Sequence, residues 1–222
     1  MIKYIFLAFT ALCCLCCSSV IAQDNPQLYK LHSPFERYRH NSITLKGVGA
    51  MPLGELSNEY IDQSSFKNFS IALEWIFPTS PFSAGIEISK AYFEKRLERD
   101  LYRSTDWDIS AVQTRTLSLT PIQGFVRYNT APVNATIQPY LQVNAGVTAV
   151  NYILYLGSLA DQYQKLRLGY GAGIGSKILF KKQGKLGADV SVHYRGSSFN
   201  YGYLEKGASH LSGSVGIFYR WW

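Results

Sequence analysis

Apolar and polar residues alternate along this chain from about residue 42 to its end. Between Leu186 and Tyr194 the apolar side chains occupy one face, and the other face carries Gly187, Asp189, Ser191, His193 and Arg195. The same period of two recurs in residues 69–77, 141–149, 168–178 and 211–221. Because a period of two belongs to a β-strand with two different faces, the sequence predicts an all-β fold.

Eight such segments can be delimited, and their connections alternate in length. The predicted strands are 42–53, 66–77, 83–94, 112–128, 138–150, 166–180, 185–198 and 209–221. Most of the long connections fall at one end, in residues 54–65, 95–111, 151–165 and 199–208. Short turns at one end and long loops at the other predict an eight-stranded antiparallel up-and-down β-barrel over residues 42–222. Residues 23–41 contain two prolines and no periodicity, which predicts an irregular N-terminal segment.

The aromatic residues indicate that the apolar face is the outer one. Six of them share the apolar phase and lie near the short turns, namely Trp75, Phe77, Tyr128, Phe180, Tyr219 and Trp221. Aromatic girdles mark a bilayer interface, and tilted strands of about ten residues can cross the apolar layer. The prediction is a transmembrane barrel with a polar lumen, and a soluble lipocalin-like barrel is the alternative.

The alternation slips within the fourth predicted strand. Leu117 and Leu119 hold the apolar face before Pro121, and Val126 and Tyr128 hold it afterwards. One extra residue in a strand reverses its faces, and proline cannot donate a ladder hydrogen bond. The sequence therefore predicts a β-bulge at Pro121.

Residues 1–22 predict a secretory signal peptide. Lys3 precedes an apolar run from Ile5 to Leu15, and Ala22 is a small residue at the expected cleavage site. All four cysteines lie in this leader, so the mature chain is expected to have neither disulfides nor a cysteine metal site. An uncleaved membrane anchor and a lipid-modified cysteine are the alternatives.

The end of the chain resembles the C-terminal sorting signal of bacterial outer-membrane barrels. Val215, Ile217, Tyr219 and Trp221 alternate as in that signal, and Trp222 follows as one further residue. Two other stretches, 124–128 and the glycine-rich strand 169–175, are similar to small eight-stranded barrels of the OmpA/OmpX kind. The resemblance implies a monomeric outer-membrane protein that is inserted by the barrel-assembly machinery and contacts outer-membrane lipid and lipopolysaccharide. It does not imply one function, since that family includes adhesins, structural proteins, narrow pores and a few lipid-modifying enzymes.

Two local patterns were candidates for chemistry. The glycine-rich strand 169–175 lacks the spacing of a phosphate-binding loop, and its glycines are expected to make room for larger side chains. His210 and Ser212 are similar to the H-x-S pair of an outer-membrane lipid A deacylase family, but Gly213 stands where that family has Asn, and no acidic residue follows. We therefore predict no catalytic residue, metal or cofactor, and we expect His193 to be hydrogen-bonded in the lumen.

Charges on the polar face predict a plugged lumen. Seven of them fall in the half nearer the short turns, namely Lys46, Glu74, Glu87, Arg127, Lys177, Asp189 and Arg220. They are expected to pair, because a lone charge inside a membrane barrel is costly and eight strands leave room only for side chains. The net charge of +7 includes no long basic run, so no nucleic-acid partner is predicted. The predicted function is a non-enzymatic barrel that displays loops for structural or interaction roles, and a lipid A-modifying enzyme or a narrow pore is the alternative.

Two further features lie toward the long loops. Residues 95–108 mix basic and acidic side chains, which predicts a solvated hairpin extension with cross-strand ion pairs or, alternatively, a contact for lipopolysaccharide phosphates or a partner. Lys90 has the outward phase of Ile86 and Ile88. Its expected height is that of the outer membrane interface, where its ammonium group can reach a phosphate.

Overall fold

The computed structural model describes residues 40–221 except 78–79, 104–107, 134, 158, 182–183, 200, 203 and 205–206. The predicted signal peptide (1–22) and nearly all of the predicted irregular segment (23–41) lie outside the described residues. Within the described part of the chain, no helix is long and apolar enough to cross a membrane.

Eight antiparallel strands close into one barrel, which confirms the predicted fold. They are β1 (Asn41–Leu53), β2 (Ser65–Ile76), β3 (Phe82–Arg103), β4 (Asp108–Asn129), β5 (Ile137–Leu156), β6 (Leu159–Leu179), β7 (Leu186–Ser197) and β8 (Ala208–Trp221). Each strand pairs with its neighbours in the chain, and β8 pairs with β1. A five-residue π-helix, Leu56–Tyr60, lies in the connection between β1 and β2.

The register of the strands fixes their tilt. A path along paired residues leaves β1 at Asn41, passes once around the ring and returns to β1 at Met51. For eight strands this stagger corresponds to a tilt of roughly 40° and a rise of about 2.5 Å per residue along the barrel axis. A barrel of this size has an interior that side chains can fill completely.

The apolar face is the outer face. Leu45, Val143 and Leu168 are 60–72% exposed on it, and the polar residues of the same strands are buried inside. The predicted girdle lies on this outer surface near the short turns, with four members 40–62% exposed: Trp75, Phe77, Phe180 and Tyr219. An apolar exterior around a polar lumen is the reverse of a soluble barrel, so the lipocalin-like alternative is excluded.

Four strands are longer than the sequence predicted. The hairpin β3–β4 continues to Arg103 and Asp108, and the hairpin β5–β6 continues to Leu156 and Leu159. Most of the predicted loops 95–111 and 151–165 is therefore strand. Strands β3 to β6 form a wall that rises beyond the other four strands, and we refer to it as the four-stranded wall. Charged and polar residues occur on both faces of its upper part, so the simple alternation ends before the strands do.

The predicted bulge at Pro121 is wrong. The β4–β5 ladder runs without a shift from Gln113 to Asn129, and Pro121 pairs with Thr148. The irregularity in the β3–β4 ladder lies further up, between residues 96 and 99.

Inward-facing and outward-facing residues of β4 continue to alternate at Pro121, but the interior of the barrel changes there from polar to apolar. Leu117 and Leu119 are buried inside the barrel, on the same face as Arg127 below them. Val126, by contrast, is on the outer surface. The slip in the sequence pattern therefore marks the height at which apolar side chains move from the outside to the inside.

Candidate functional site in the barrel interior

The half of the interior nearer the short turns holds ion pairs centred on Glu74. Its Oε2 atom accepts hydrogen bonds from Arg127 Nη1 at 2.7 Å and from Lys177 Nζ. The hydroxyl groups of Ser83 and Ser42 also donate to this carboxylate, at 2.6 and 3.2 Å. Two cations and two hydroxyls thus compensate the removal of this carboxylate from water.

A second ion pair joins β1 to β7 over the intervening strand β8, where Gly216 pairs with both Lys46 and Asp189. Lys46 Nζ lies 2.8 Å from Asp189 Oδ1, and the Tyr140 hydroxyl donates to the same oxygen at 2.9 Å. Lys46 also donates to the Ser191 hydroxyl at 3.1 Å. Lys46 also donates to the hydroxyl of Tyr140 on β5, the strand opposite β1, at 3.4 Å, so these contacts fill the lumen rather than line it.

Glu87 forms the upper part of this network. It accepts hydrogen bonds from Arg195 Nη2 at 2.5 Å, from the Ser70 hydroxyl at 2.6 Å and from Gln142 Nε2 at 3.0 Å. Arg195 was missed by the sequence prediction, which counted only charges in the half nearer the short turns. The inward phase that Arg195 shares with His193 on β7 was the available signal.

The structure places all seven predicted lumen charges inside the barrel, each at most 3% exposed. Six of them take part in the ion pairs described above. Arg220, at the end of β8, instead donates to the Val133 carbonyl at 2.9 Å and to the Gln138 side chain. We refer to these seven residues together with Arg195 as the lumen network.

Above the lumen network the interior is apolar. A cluster of buried side chains comes from the strands, from the π-helix and from the connection between β7 and β8, and we call it the cap: Ala50, Leu56, Tyr60, Ile61, Ala91, Phe93, Leu117, Leu119, Val150, Tyr152, Phe199, Leu204 and Ala208. The Tyr60 and Tyr152 rings stack with centroids 4.7 Å apart. Because the cap has the composition of a soluble protein core, it closes the barrel above the polar network.

Hydrogen bonds hold the π-helix in the cap. The Tyr60 hydroxyl donates to the carbonyls of Ile153 and Thr116, at 3.0 and 3.3 Å. Arg115 Nη1 donates to the carbonyls of Glu59 and Tyr60, at 2.9 and 3.2 Å. Burial raises the pKa of the Tyr60 phenol well above its usual value, so this hydroxyl stays a donor.

An ion pair ties the end of this connection to the four-stranded wall. Lys95 Nζ on β3 lies 2.9 Å from Asp62 Oδ2. The hydrogen bond from Lys95 lowers the pKa of the exposed Asp62 carboxyl. Lys95 thus reaches from the predicted charged hairpin to the segment that covers the barrel.

The two residues of the deacylase-like pattern lie beneath the cap. His210 is 4% exposed, and its ring packs edge-on against Phe93 with centroids 5.8 Å apart. Ser212 is 3% exposed and donates its hydroxyl to the His193 backbone carbonyl at 3.2 Å. In the described residues, no group of three histidine, cysteine or acidic side chains could hold a metal ion.

The expected hydrogen bond of His193 is not made to another described residue. Among the residues that the structure describes, neither of its ring nitrogens has a hydrogen-bond partner. The neighbouring strand β6 offers only glycines here, and a Cβ atom at Gly173 would overlap the His193 ring. A Cβ atom at Gly175 would likewise lie 2.5 Å from the Tyr140 ring. The inward glycines therefore make room for large side chains, as predicted.

Comparison with solved structures finds small outer-membrane barrels. Neisserial surface protein A is similar with a TM-score of 0.51 at 12% identity, and the match covers 82% of this chain and 97% of that one. OprG of Pseudomonas aeruginosa follows with a TM-score of 0.48 at 12% identity, covering 83% and 97%. Ail of Yersinia pestis has a TM-score of 0.46 at 14% identity, covering 83% and 98%. No protein-family model matches the sequence, and no curated protein matches it closely enough to count as a relative.

The chain has the fold of a small, eight-stranded outer-membrane barrel. In this outer-membrane barrel fold, the predicted sorting-signal residues lie on the outer face of β8. Val215, Ile217 and Tyr219 are 62%, 58% and 40% exposed, and Trp221 is half-buried. The Tyr219 and Trp221 rings stack, with centroids 6.3 Å apart. Trp222 lies outside the described residues.

Proposed function

We propose that this protein is a non-enzymatic outer-membrane barrel that keeps its lumen closed and displays the four-stranded wall outside the cell for structural or interaction roles. The observation that carries this proposal is the double closure of the interior. The lumen network fills the half nearer the short turns, and the cap fills the half above it.

The proposal extends to location and topology. The signal peptide 1–22 exports the chain, and the β8 residues Val215 to Trp221 present it to the barrel-assembly machinery. Short turns face the periplasm in barrels of this kind, so the wall and the cap lie on the extracellular side. The barrel then stands as a monomer in contact with outer-membrane lipid and lipopolysaccharide.

The wall offers free backbone to a partner. The β2–β3 ladder ends at Lys90, and the β6–β7 ladder ends at Gly169. Above these residues, in the described part of the chain, β3 and β6 each have a strand neighbour on one side only. Charged residues of β3 oppose edge-to-edge association, and the β6 edge has fewer of them. Such edges support an interaction role, because an extended peptide can add to them as a further strand.

The buried positions of His210 and Ser212 argue against the deacylase alternative. Both side chains point into the lumen beneath the cap, where a lipid substrate on the outside of the barrel does not reach them. The Ser212 hydroxyl donates to a backbone carbonyl, whereas an activated nucleophile needs a base as its partner.

Two measurements test the proposal. In planar bilayers we expect the purified protein to show no large, stable conductance, because both halves of the interior are filled. In cells that carry Ser212→Ala or His210→Ala, the mass spectrum of lipid A should equal that of wild-type cells. A steady large current would overturn the closed lumen, and a shifted lipid A mass would overturn the non-enzymatic role.

A further inference from the structure

A groove of about 580 Å³ crosses the outer surface of the barrel between β1 and β8. Its floor consists of glycines with outward phase, Gly47, Gly49 and Gly213. Its walls include Met51, Phe66 and Val215. Because these glycines carry no side chain, the groove reaches down to the backbone of the sheet.

An irregularity in β2 forms one wall of the groove. Val48 pairs with Asn68 and Ala50 with Ser65, so Phe66 and Lys67 both lie opposite Gly49. This bulge turns both side chains to the outside, and Phe66 is 83% exposed. A Cβ atom at Gly49 would lie only 3.0 Å from the Phe66 ring. The ring therefore lies along the groove and depends on glycine beneath it.

The groove lies in the upper half of the apolar band. Val215 at its lower end pairs with Gly47, and Met51 at its upper end is ten residues along β1 from Asn41. At about 2.5 Å per residue, the groove runs from roughly 15 to 25 Å above the short-turn end of β1. Its mouth is thus at the outer boundary of a membrane whose apolar layer is about 25 Å thick.

Two lysines stand beside the mouth of the groove. Lys67 follows Phe66 directly, and Lys90 pairs with Phe69 on the neighbouring strand, so both lie at nearly the same height. Both are exposed, and in the described residues neither forms an ion pair with a carboxylate. Two uncompensated cations at a membrane boundary are complementary to the phosphate of an anionic lipid.

We propose that the groove binds one acyl chain of phosphorylated lipid A from the outer leaflet, and that Lys67 and Lys90 hold its phosphate. The proposal rests on the outer-membrane location and topology given under Proposed function. The apolar walls and glycine floor accept the chain against the backbone, and the lysines fix the headgroup above it. A second groove lies on the outer face of the four-stranded wall and is lined by polar residues that do not suit a hydrocarbon chain, among them Ser118, Thr120, Asn151 and Gln164.

The test uses the full-length mature protein in detergent micelles, with purified lipid A as the probe and native mass spectrometry as the readout. Gly213→Leu introduces an apolar side chain into the groove, and its Cβ atom would meet nothing within 4 Å. Gly124→Leu is the matched control, since Gly124 also faces outward and its Cβ would meet only ordinary contacts at 3.8 Å or more. We expect Gly213→Leu to weaken lipid A binding by about tenfold or more and Gly124→Leu to leave it unchanged.

The phosphate contact is tested separately with Lys67→Ala combined with Lys90→Ala, and Lys181→Ala near the short turns serves as the control. The double variant should weaken binding of phosphorylated lipid A and leave binding of dephosphorylated lipid A unchanged. Equal binding by Gly213→Leu and wild type, or equal binding of both lipid A forms by the wild type, would overturn the proposal. So would a wild-type dimer that Gly213→Leu converts to a monomer, because the groove would then hold a second copy. If the proposed outer-membrane location is wrong, the protein will be absent from the membrane fraction of cells. That result is distinct from a failure to bind lipid A.

Discussion

At Glu74, two cations and two hydroxyl groups converge on one buried carboxylate. Glu74→Gln keeps the shape of the side chain but leaves Arg127 and Lys177 without their counter-charge. We expect it to lower the free energy of unfolding by about 3–5 kcal/mol, as measured by urea unfolding in lipid vesicles. Glu98→Gln, at an exposed position on β3, should change it by less than about 0.5 kcal/mol.

A compensating substitution separates lost charge balance from lost packing. Lys177→Met removes one of the two cations that face Glu74. When it is combined with Glu74→Gln, part of the lost stability should return, because one uncompensated charge is removed with it. If Glu74→Gln and Glu98→Gln unfold at the same urea concentration, the lumen network contributes nothing to stability.

At the level of single residues, the alternation was sufficient to predict which charges enter the lumen. Asp189 and Lys177 share the inward phase of their strands, and phase alone places them inside. Their partners could not be predicted, because Lys46 reaches Asp189 only through the closure of β8 onto β1. The room for the His193 ring could not be predicted for the same reason, since it depends on Gly173 of the neighbouring strand.

Among the elements, the cap and the four-stranded wall were the parts that sequence reasoning missed. The rule of apolar residues outside and polar residues inside does not hold along the whole length of each strand. Leu117 and Leu119 obey the opposite rule within an unbroken strand, and in the sequence such a reversal looks the same as a bulge. The π-helix has only five residues, too few for a helical period to be recognised.

The cap should contribute strongly to stability. Phe93→Ala leaves a cavity within it, and we expect a loss of about 3 kcal/mol in the free energy of unfolding. Phe69→Ala removes the same ring from the outer surface, where Phe69 is 48% exposed and lipid fills the space. Phe69→Ala should lower the free energy of unfolding much less than Phe93→Ala does. Urea midpoints of the two variants give the comparison, and equal losses would show that the cap is not a packed core.

The cap should also open at alkaline pH. Burial raises the pKa of Tyr60 in the folded protein above the value of about 10 that it has in the unfolded chain. Its contribution to stability is therefore complete below pH 10 and is lost as the pH rises above that value. Between pH 9 and 11.5, protease cleavage within residues 54–64 should increase in the wild type. Tyr60→Phe should reduce this dependence on pH, and an equal response of both proteins would contradict the role given to Tyr60.

For the molecule as a whole, the two layers of the interior close it independently. Replacement of residues 54–64 by a short glycine-serine turn removes the π-helix from the cap but leaves the ion pairs of Glu74 and Asp189 in place. We expect no stable current from this variant in planar bilayers. Current should require a second change in the lumen network, such as Arg127→Ala, with circular dichroism showing that the barrel is still folded. A stable current from the first variant alone would mean that the lumen network does not close the barrel.

The height at which the apolar residues of β4 change from the outer to the inner face also indicates the thickness of the membrane. Below Pro121 the outer face of the strand is apolar and suits contact with hydrocarbon. Above Pro121 the outer face is polar and suits contact with water, and the ladder of hydrogen bonds continues unchanged. From Tyr128 to Thr120 the chain climbs roughly 20 Å along the barrel axis, close to the thickness of an outer-membrane apolar layer. The amino-acid order thus encodes the bilayer thickness for which this barrel is made. In a markedly thicker bilayer, lipid chains would meet the polar outer surface at Ser118 and Thr120, so the surrounding lipid would have to thin locally or the barrel would have to tilt.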